Sequence, residues 1–243
     1  MRKPIGCFLL LGALIISIGA AWGLFQKNST SIVSPLPDEP HVRVPLLGIF
    51  SSKKDPLELR ERIQKLVGST WKNYSVYVVD YTSNFSMGIN ETVIFTAASL
   101  NKIPILAALY VQAQNGQIDL DKDITPQADD IQDYGTGSIR YDPPGTTYSV
   151  KTLARLMMQK SDNTAAHILG NYVIGLETVQ NLINSWGLIQ TDMVNNKTSN
   201  KDMELLLKQI YKREIAGEAY TQEMLAFLKD SDFEDRIPAL LPR

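Results

Sequence analysis

Ser99 and Lys102 stand three residues apart, at the point where a strand-like run (Val93–Phe95) is followed by an apolar helix. Residues at i and i+3 share one face of a helix, so the hydroxyl and the amine are predicted to lie within reach of each other. A serine becomes a good nucleophile when a base takes its proton, and a lysine kept neutral by burial can be that base. Pro104 is tolerated only near a helix start, which places the start close to Ser99. The alternative is a helix-capping serine with a solvated lysine.

The same spacing occurs at Ser51–Lys54 and Ser69–Lys72, but only Ser99 opens a long apolar helix. A second motif, Ser161-Asp162-Asn163, lies at the junction of two helical patterns. Ser-x-x-Lys followed by Ser-Asp-Asn resembles the motif pair of the penicillin-recognising serine enzymes, the class A β-lactamases and penicillin-binding proteins. The resemblance runs from about Asp55 to the end of the chain. The flanking segments that look like the class A branch are Thr96–Lys102, Gly135–Ser138, Pro144–Thr146 and Lys160–Ala166.

This resemblance implies a β-lactamase/transpeptidase-like fold and a catalytic role for four residues. Ser99 would be the acylated nucleophile, with its own N–H as half of the oxyanion hole, and Lys102 would be the activating base. Ser161 would pass a proton to the leaving amine, and Asn163 would orient Lys102 and the substrate amide. A helix N-cap is the structural alternative for Asn163. A Ser-His-Asp triad is the competing chemistry, but the chain has no Gly-x-Ser-x-Gly elbow.

The chain departs from the class A pattern in one loop. Class A enzymes carry a glutamate in an omega loop, which activates the water that releases the acyl-enzyme. In this sequence the corresponding segment, Ile189–Lys197, is short and contains no glutamate. Asp192 is the only acid there. The resemblance therefore predicts acylation with slow deacylation.

The end of the chain is the second departure. Residues Asp235–Arg243 look like the stretch that leads into a Lys-Thr-Gly strand, and the sequence stops before that motif. We therefore expect a partial antiparallel sheet and a truncated reading frame or partial record.

Residues 1–26 are predicted to form a transmembrane anchor. Arg2 and Lys3 precede an uncharged, mostly apolar run that is long enough to cross a bilayer, and the basic start favours the cytoplasmic side. A cleaved signal peptide, giving a secreted protein, is the alternative. Residues 27–54 form a linker rich in proline and serine, and residues 55–243 form the catalytic domain. His41 lies in the linker and is predicted to be solvated.

The periodicity predicts an α+β fold, one hairpin followed by a run of helices. Tyr74–Tyr81 is predicted to be a strand buried on both faces, with Phe85–Ile89 and Val93–Phe95 as its antiparallel partner. His167 lies on an apolar helix face and is predicted to be a core histidine. The predicted helices span residues 55–67, 99–115, 149–160, about 164–173 and 177–186, 199–211 and 218–229.

Composition limits the other possibilities. The net charge of −2 argues against a nucleic-acid surface, and one cysteine with two histidines leaves no disulfide framework and little for a metal site. We expect a monomer without cofactor or metal. The first hypothesis is a serine hydrolase that opens β-lactams, and the second is a cell-wall enzyme acting on D-alanyl-D-alanine peptides of peptidoglycan. The third is a non-catalytic penicillin-binding remnant.

Overall fold

The apolar helix after Ser99 is the core of the domain. It spans Lys102–Gln114, and ten of its residues are buried, from Lys102 to Tyr110 together with Ala113. A helix that is apolar on all sides must be covered on all sides. A 3₁₀ turn, Ala98–Asn101, precedes it, so Ser99 lies one turn before the α-helix begins.

The computed structural model describes residues 55–233 except 69, 71, 72 and 84, together with residues 235 and 239. The predicted anchor (1–26), the linker (27–54) and His41 lie outside these described residues. Within the described part, no helix is long and apolar enough to cross a membrane.

Seven α-helices occur among the described residues, and they match the predicted pattern closely. They are α1 (Pro56–Val67), α2 (Lys102–Gln114), α3 (Val150–Gln159), α4 (Asn163–His167), α5 (Leu176–Ser185), α6 (Asn200–Tyr211) and α7 (Glu218–Lys229). A π-helical segment, Ile168–Ile174, joins α4 to α5. Helix α2 contacts α3, α5, α7 and this segment, so the core forms around it. The α+β class is confirmed.

Six short strands form three antiparallel pairs. They are β1 (Val76–Val79), β2 (Ser86–Ile89), β3 (Phe95–Thr96), β4 (Asp123–Ile124), β5 (Tyr148–Ser149) and β6 (Lys197–Thr198). β1 pairs with β2, β3 with β6, and β4 with β5. The β3–β6 pair is the one that matters for the site, because it connects the segment before Ser99 to the segment after Asp192.

Two strand predictions are wrong. Val93–Phe95 does not extend the partner of β1, because Asn90 adopts a left-handed φ of 53° and its carbonyl accepts a hydrogen bond from the Val93 N–H, which ends β2 in a turn. Phe95 pairs with Thr198 instead. Strand β1 is not buried on both faces, since Val78 is 37% exposed.

The helix starts follow the capping residues in the sequence. Asp55 caps α1, Ser149 caps α3 and Ser199 caps α6, each by accepting a backbone N–H in the first turn. The capping box that Ser199 and Asp202 could form at the start of α6 is only half formed. The Asp202 carboxylate accepts hydrogen bonds from Gln190 N and Thr191 Oγ1 rather than from Ser199.

A buried carboxylate holds the loop around Ser138 and Ile139 against the Ser-Asp-Asn motif. Asp162 is 1% exposed and accepts backbone N–H bonds from Ser138 (2.6 Å), Ile139 (3.0 Å) and Ala165 (3.0 Å). The loop passes so close that a Cβ on Gly137, which has a φ of 129°, would lie 2.8 Å from the Asp162 Cα. Glycine is therefore required at Gly137 for two reasons, its backbone conformation and its contact.

We expect Gly137→Ala to destabilise the fold by about 2 kcal/mol more than Gly116→Ala, because overpacking adds to backbone strain. Gly116 also has a positive φ, of 72°, but a Cβ there meets nothing within 4 Å. Gly116→Ala should lose stability through backbone strain alone, by about 1 kcal/mol. Urea unfolding of the three proteins measures the difference. Equal losses for the two variants would contradict the close approach to Asp162.

Candidate active site

The structure brings Ser99, Lys102, Ser161 and Asn163 together in one cluster. Lys102 Nζ lies 3.5 Å from Ser99 Oγ, 3.0 Å from Ser161 Oγ and 2.8 Å from Asn163 Oδ1. The Ser161 hydroxyl donates to Ser99 Oγ at 2.9 Å. Helix α2 supplies the lysine and the 3₁₀ turn supplies the serine, while the break between α3 and α4 supplies the other two side chains.

Lys102 is buried, with 4% of its surface exposed. Burial lowers the pKa of the Lys102 amine from 10.5 to about 8, and the nearby Asp162 carboxylate opposes this shift. Removing an ammonium from water disfavours its charged form, which is the cause of the change. Near neutral pH a useful fraction of the amine is therefore neutral and able to accept a proton.

Two non-glycine residues beside the hydroxyl groups have left-handed backbone conformations. Ala98 has a φ of 49° and Ser161 a φ of 50°. Such conformations cost free energy and persist only where surrounding contacts hold them. For Ser161, Lys102 Nζ at 2.6 Å and Thr136 Oγ1 at 2.7 Å both donate to its carbonyl oxygen. These bonds aim the Ser161 hydroxyl at Ser99.

Asn163 does not cap helix α4, because Asp162 occupies the N-cap position and accepts the Ala165 N–H. The Asn163 amide is oriented by its own nitrogen, which donates to the Tyr134 carbonyl at 3.0 Å. Its oxygen therefore faces Lys102. Gly135, with a φ of 69°, lies against this amide where a Cβ would collide with Asn163 Nδ2.

The cluster opens into a cavity of about 370 Å³. Within the described part of the chain, no aspartate or glutamate lines this cavity. Ile105, Leu176 and Met193 provide its apolar surface. Its polar side chains, besides those of the cluster, are Asn101, Gln132, Tyr134, His167, Asn171 and Asn196.

Asp192 is not a wall of this cavity. Its carboxylate accepts hydrogen bonds from Asn195 N at 2.9 Å and Asn195 Nδ2 at 2.8 Å, and its backbone pairs with Lys197. The bonds from Asn195 lower the pKa of the Asp192 carboxyl. The one acid of the Ile189–Lys197 segment is thus held in a local turn and does not line the cavity that contains Ser99.

His167 is not a core histidine, since it is half-buried and lines the cavity that holds Ser99. Its ring contacts two residues of the following π-helical segment, Asn171 at 3.1 Å and Tyr172 at 3.2 Å. The helical periodicity of the sequence placed the ring on the correct helix. It could not show that the ring would line a cavity together with residues distant in the sequence, such as Ser99 and Met193.

The arrangement contains the groups needed for acyl transfer. The site contains a nucleophilic hydroxyl (Ser99), a buried amine of lowered pKa (Lys102) and a second hydroxyl (Ser161) that connects them. Their polar atoms lie 2.9 Å to 3.5 Å apart. The sequence analysis assigned no role to Asp162, although its position inside the Ser-Asp-Asn motif pointed to one. No three His, Cys, Asp or Glu side chains are grouped to hold a metal ion among the residues described.

Solved structures of similar fold are known. The structure described as PBP-A is 28% identical, with a TM-score of 0.70 over 76% of this chain and 73% of that chain. A mutant of PBP-A, in an acyl-enzyme complex with penicillin G, has the same identity and TM-score over 77% and 74%. A β-lactamase from Sphaerobacter thermophilus, 23% identical over 78% and 74% with a TM-score of 0.69, shows the shared fold alone.

The family comparison covers most of the chain. No curated protein is found to match it. The model of the beta-lactamase enzyme family matches residues 58–243, which include Ser99, Lys102, Ser161 and Asn163. The chain therefore belongs to the beta-lactamase enzyme family.

Proposed function

We propose that the protein is a serine acyl-transfer enzyme that opens the amide bond of β-lactams through an ester on Ser99. The observation that carries this proposal is the buried Lys102 amine, which contacts both Ser99 and Ser161 and whose pKa is lowered to about 8. The capture of a PBP-A mutant as an acyl-enzyme with penicillin G supports the choice of substrate.

Acylation begins when neutral Lys102 takes the proton of the Ser99 hydroxyl. The Ser99 oxygen attacks the lactam carbonyl carbon, and the developing negative charge on the carbonyl oxygen faces the start of the helix, where backbone N–H groups stabilise it. The C–N bond then breaks. Ser161 donates its proton to the leaving nitrogen and receives the proton held by Lys102, which restores the neutral amine.

Deacylation lacks an equivalent base. The water that hydrolyses the ester must lose a proton, and no carboxylate lines the cavity within the described residues. General-base assistance contributes about 10²–10⁴-fold, so its absence slows the second step while leaving the first intact. The acyl-enzyme is therefore expected to accumulate.

We expect a fluorescent penicillin to label the protein covalently and to be released slowly. Ser99→Ala should abolish labelling, and Lys102→Ala should slow it by about 10²–10⁴-fold. Ser185→Ala is the control, because that hydroxyl is exposed and, among the described residues, bonds only to the Leu182 carbonyl of its own helix. Peptide mapping by mass spectrometry locates the adduct. Labelling of Ser99→Ala, or hydrolysis as fast as by an efficient β-lactamase, would contradict the proposal.

The acylation rate constant should depend on the protonation of Lys102. Since burial lowers its pKa to about 8, the neutral fraction falls about tenfold per pH unit below that value and is complete above it. The rate should therefore rise with pH and level off above about pH 8. Stopped-flow labelling from pH 6 to 10 measures it. A flat profile would show that Lys102 is not the base, and a profile that rises only toward pH 10.5 would show that its pKa is not lowered.

A cell-wall carboxypeptidase or transpeptidase is the second candidate function. The absence of a carboxylate from the described cavity wall favours the transpeptidase in particular, because a long-lived acyl-enzyme can pass its acyl group to an amine. Both candidates use Ser99 and Lys102 for the first step. Release of D-alanine from a D-alanyl-D-alanine peptide separates them, while failure of both substrates to form a Ser99 adduct supports the non-catalytic alternative.

We also propose that residues 1–26 form an uncleaved membrane anchor that keeps the enzyme, as a monomer, on the outer side of the membrane. The basic start at Arg2 and Lys3 supports this orientation. Alkaline phosphatase fused after Lys54 should be active in cells and should remain in the membrane fraction. An inactive phosphatase with an active cytoplasmic reporter would refute the orientation, and an active fusion in the medium would indicate cleavage.

A further inference from the structure

Asn171 has an amide whose orientation is fixed by a neighbouring histidine. Its Nδ2 donates to the backbone oxygen of His167 at 3.0 Å and also contacts His167 Nδ1 at 3.1 Å. A carbonyl oxygen only accepts hydrogen bonds, so the bonding pattern assigns the donor to this end of the amide. His167 Nδ1 is then the unprotonated nitrogen, and Nε2–H donates to Tyr172 Oη at 3.2 Å.

The other end of the amide is an available acceptor. Both Nδ2 hydrogens are used by His167, and Asn171 Oδ1 has no hydrogen-bond partner among the described residues. Asn171 is exposed and lines the same cavity as Ser99 and Lys102. A hydrogen-bond acceptor of fixed direction therefore belongs to the cavity in which the acyl group forms.

The composition of the cavity indicates which donors suit this acceptor. Within the described residues no carboxylate lines the cavity, so nothing there compensates the charge of an ammonium group, and the Lys102 amine disfavours a second cation. Ile105, Leu176 and Met193 suit an apolar stem. An uncharged N–H or O–H on an apolar group meets both conditions.

We propose that Asn171 Oδ1, held by His167, is the specificity-determining acceptor of a subsite that prefers acyl groups whose apolar side chain carries an uncharged O–H or N–H donor. The inference rests on the proposed function, since it concerns the acyl group that Ser99 receives. His167 is a positioning residue here. It acts through the Asn171 amide and does not touch the reacting atoms.

Two penicillins that differ by one hydroxyl group test the proposal. The full-length protein is acylated with p-hydroxybenzylpenicillin and with benzylpenicillin, and the ratio of the two second-order acylation rate constants is measured. A typical hydrogen bond contributes about 1 kcal/mol, so the wild-type ratio should be about fivefold in favour of the hydroxylated compound. Asn171→Ala should reduce the ratio to about one.

A matched control is Asn184→Ala, an exposed asparagine whose oxygen accepts from Gln180 one helical turn away and which does not line the cavity. Its ratio should equal the wild-type value. His167→Ala removes the Nδ1 contact but keeps the backbone carbonyl, so the Asn171 amide is held less firmly and the ratio should fall to about twofold. His167→Gln retains a side-chain acceptor for Asn171 Nδ2 and should restore the ratio, which a merely structural loss would not do.

The outcomes separate the two claims. A Ser99 adduct with benzylpenicillin tests the proposed function on its own. With that adduct formed, a wild-type ratio of about one, or a ratio unchanged in Asn171→Ala, overturns the subsite. If neither penicillin forms a Ser99 adduct, both the function and the subsite are refuted. If Asn171→Ala does not fold, Asn171→Leu, which keeps the shape but not the acceptor, gives the same test.

Discussion

Burial of the Lys102 amine is the constraint on which the rest of the site depends. An amine taken out of water holds its proton less tightly, so a fraction of the Lys102 amine is neutral and can act as a base near neutral pH. The cost is tolerable because Ser161 and Asn163 oxygens lie within 3.0 Å of the nitrogen. The all-apolar surface of α2 creates the burial, so the feature that builds the core also prepares the chemistry.

The partners of Lys102 are held in place by a second group of contacts. Asp162 bonds the loop of Ser138 and Ile139, and that loop lies against the Asn163 amide. The left-handed backbone of Ser161 persists because its carbonyl accepts from two side chains. Strain at this one residue directs a hydroxyl at Ser99, and the surrounding hydrogen bonds offset the cost.

Much of the fold could be predicted, because capping residues and periodicity are local. Ser149 and Pro104 locate helix starts from a few neighbouring residues, and the structure agrees. Contacts between distant segments could not be predicted in the same way. The pairing of Phe95 with Thr198 depends on a turn at Asn90, which the alternation of apolar residues does not reveal. The partial exposure of His167 depends on which distant segments line the cavity beside it.

The most direct test of the account is the protonation of Lys102 itself. An NMR titration of the lysine side-chain nitrogens, with Lys102→Met to assign the signal, measures the pKa in the folded protein without any substrate. The account predicts a midpoint near 8, well below the 10.5 of an ordinary lysine. A midpoint at or above the ordinary value would contradict it. The amine would then be charged at neutral pH and could not activate Ser99.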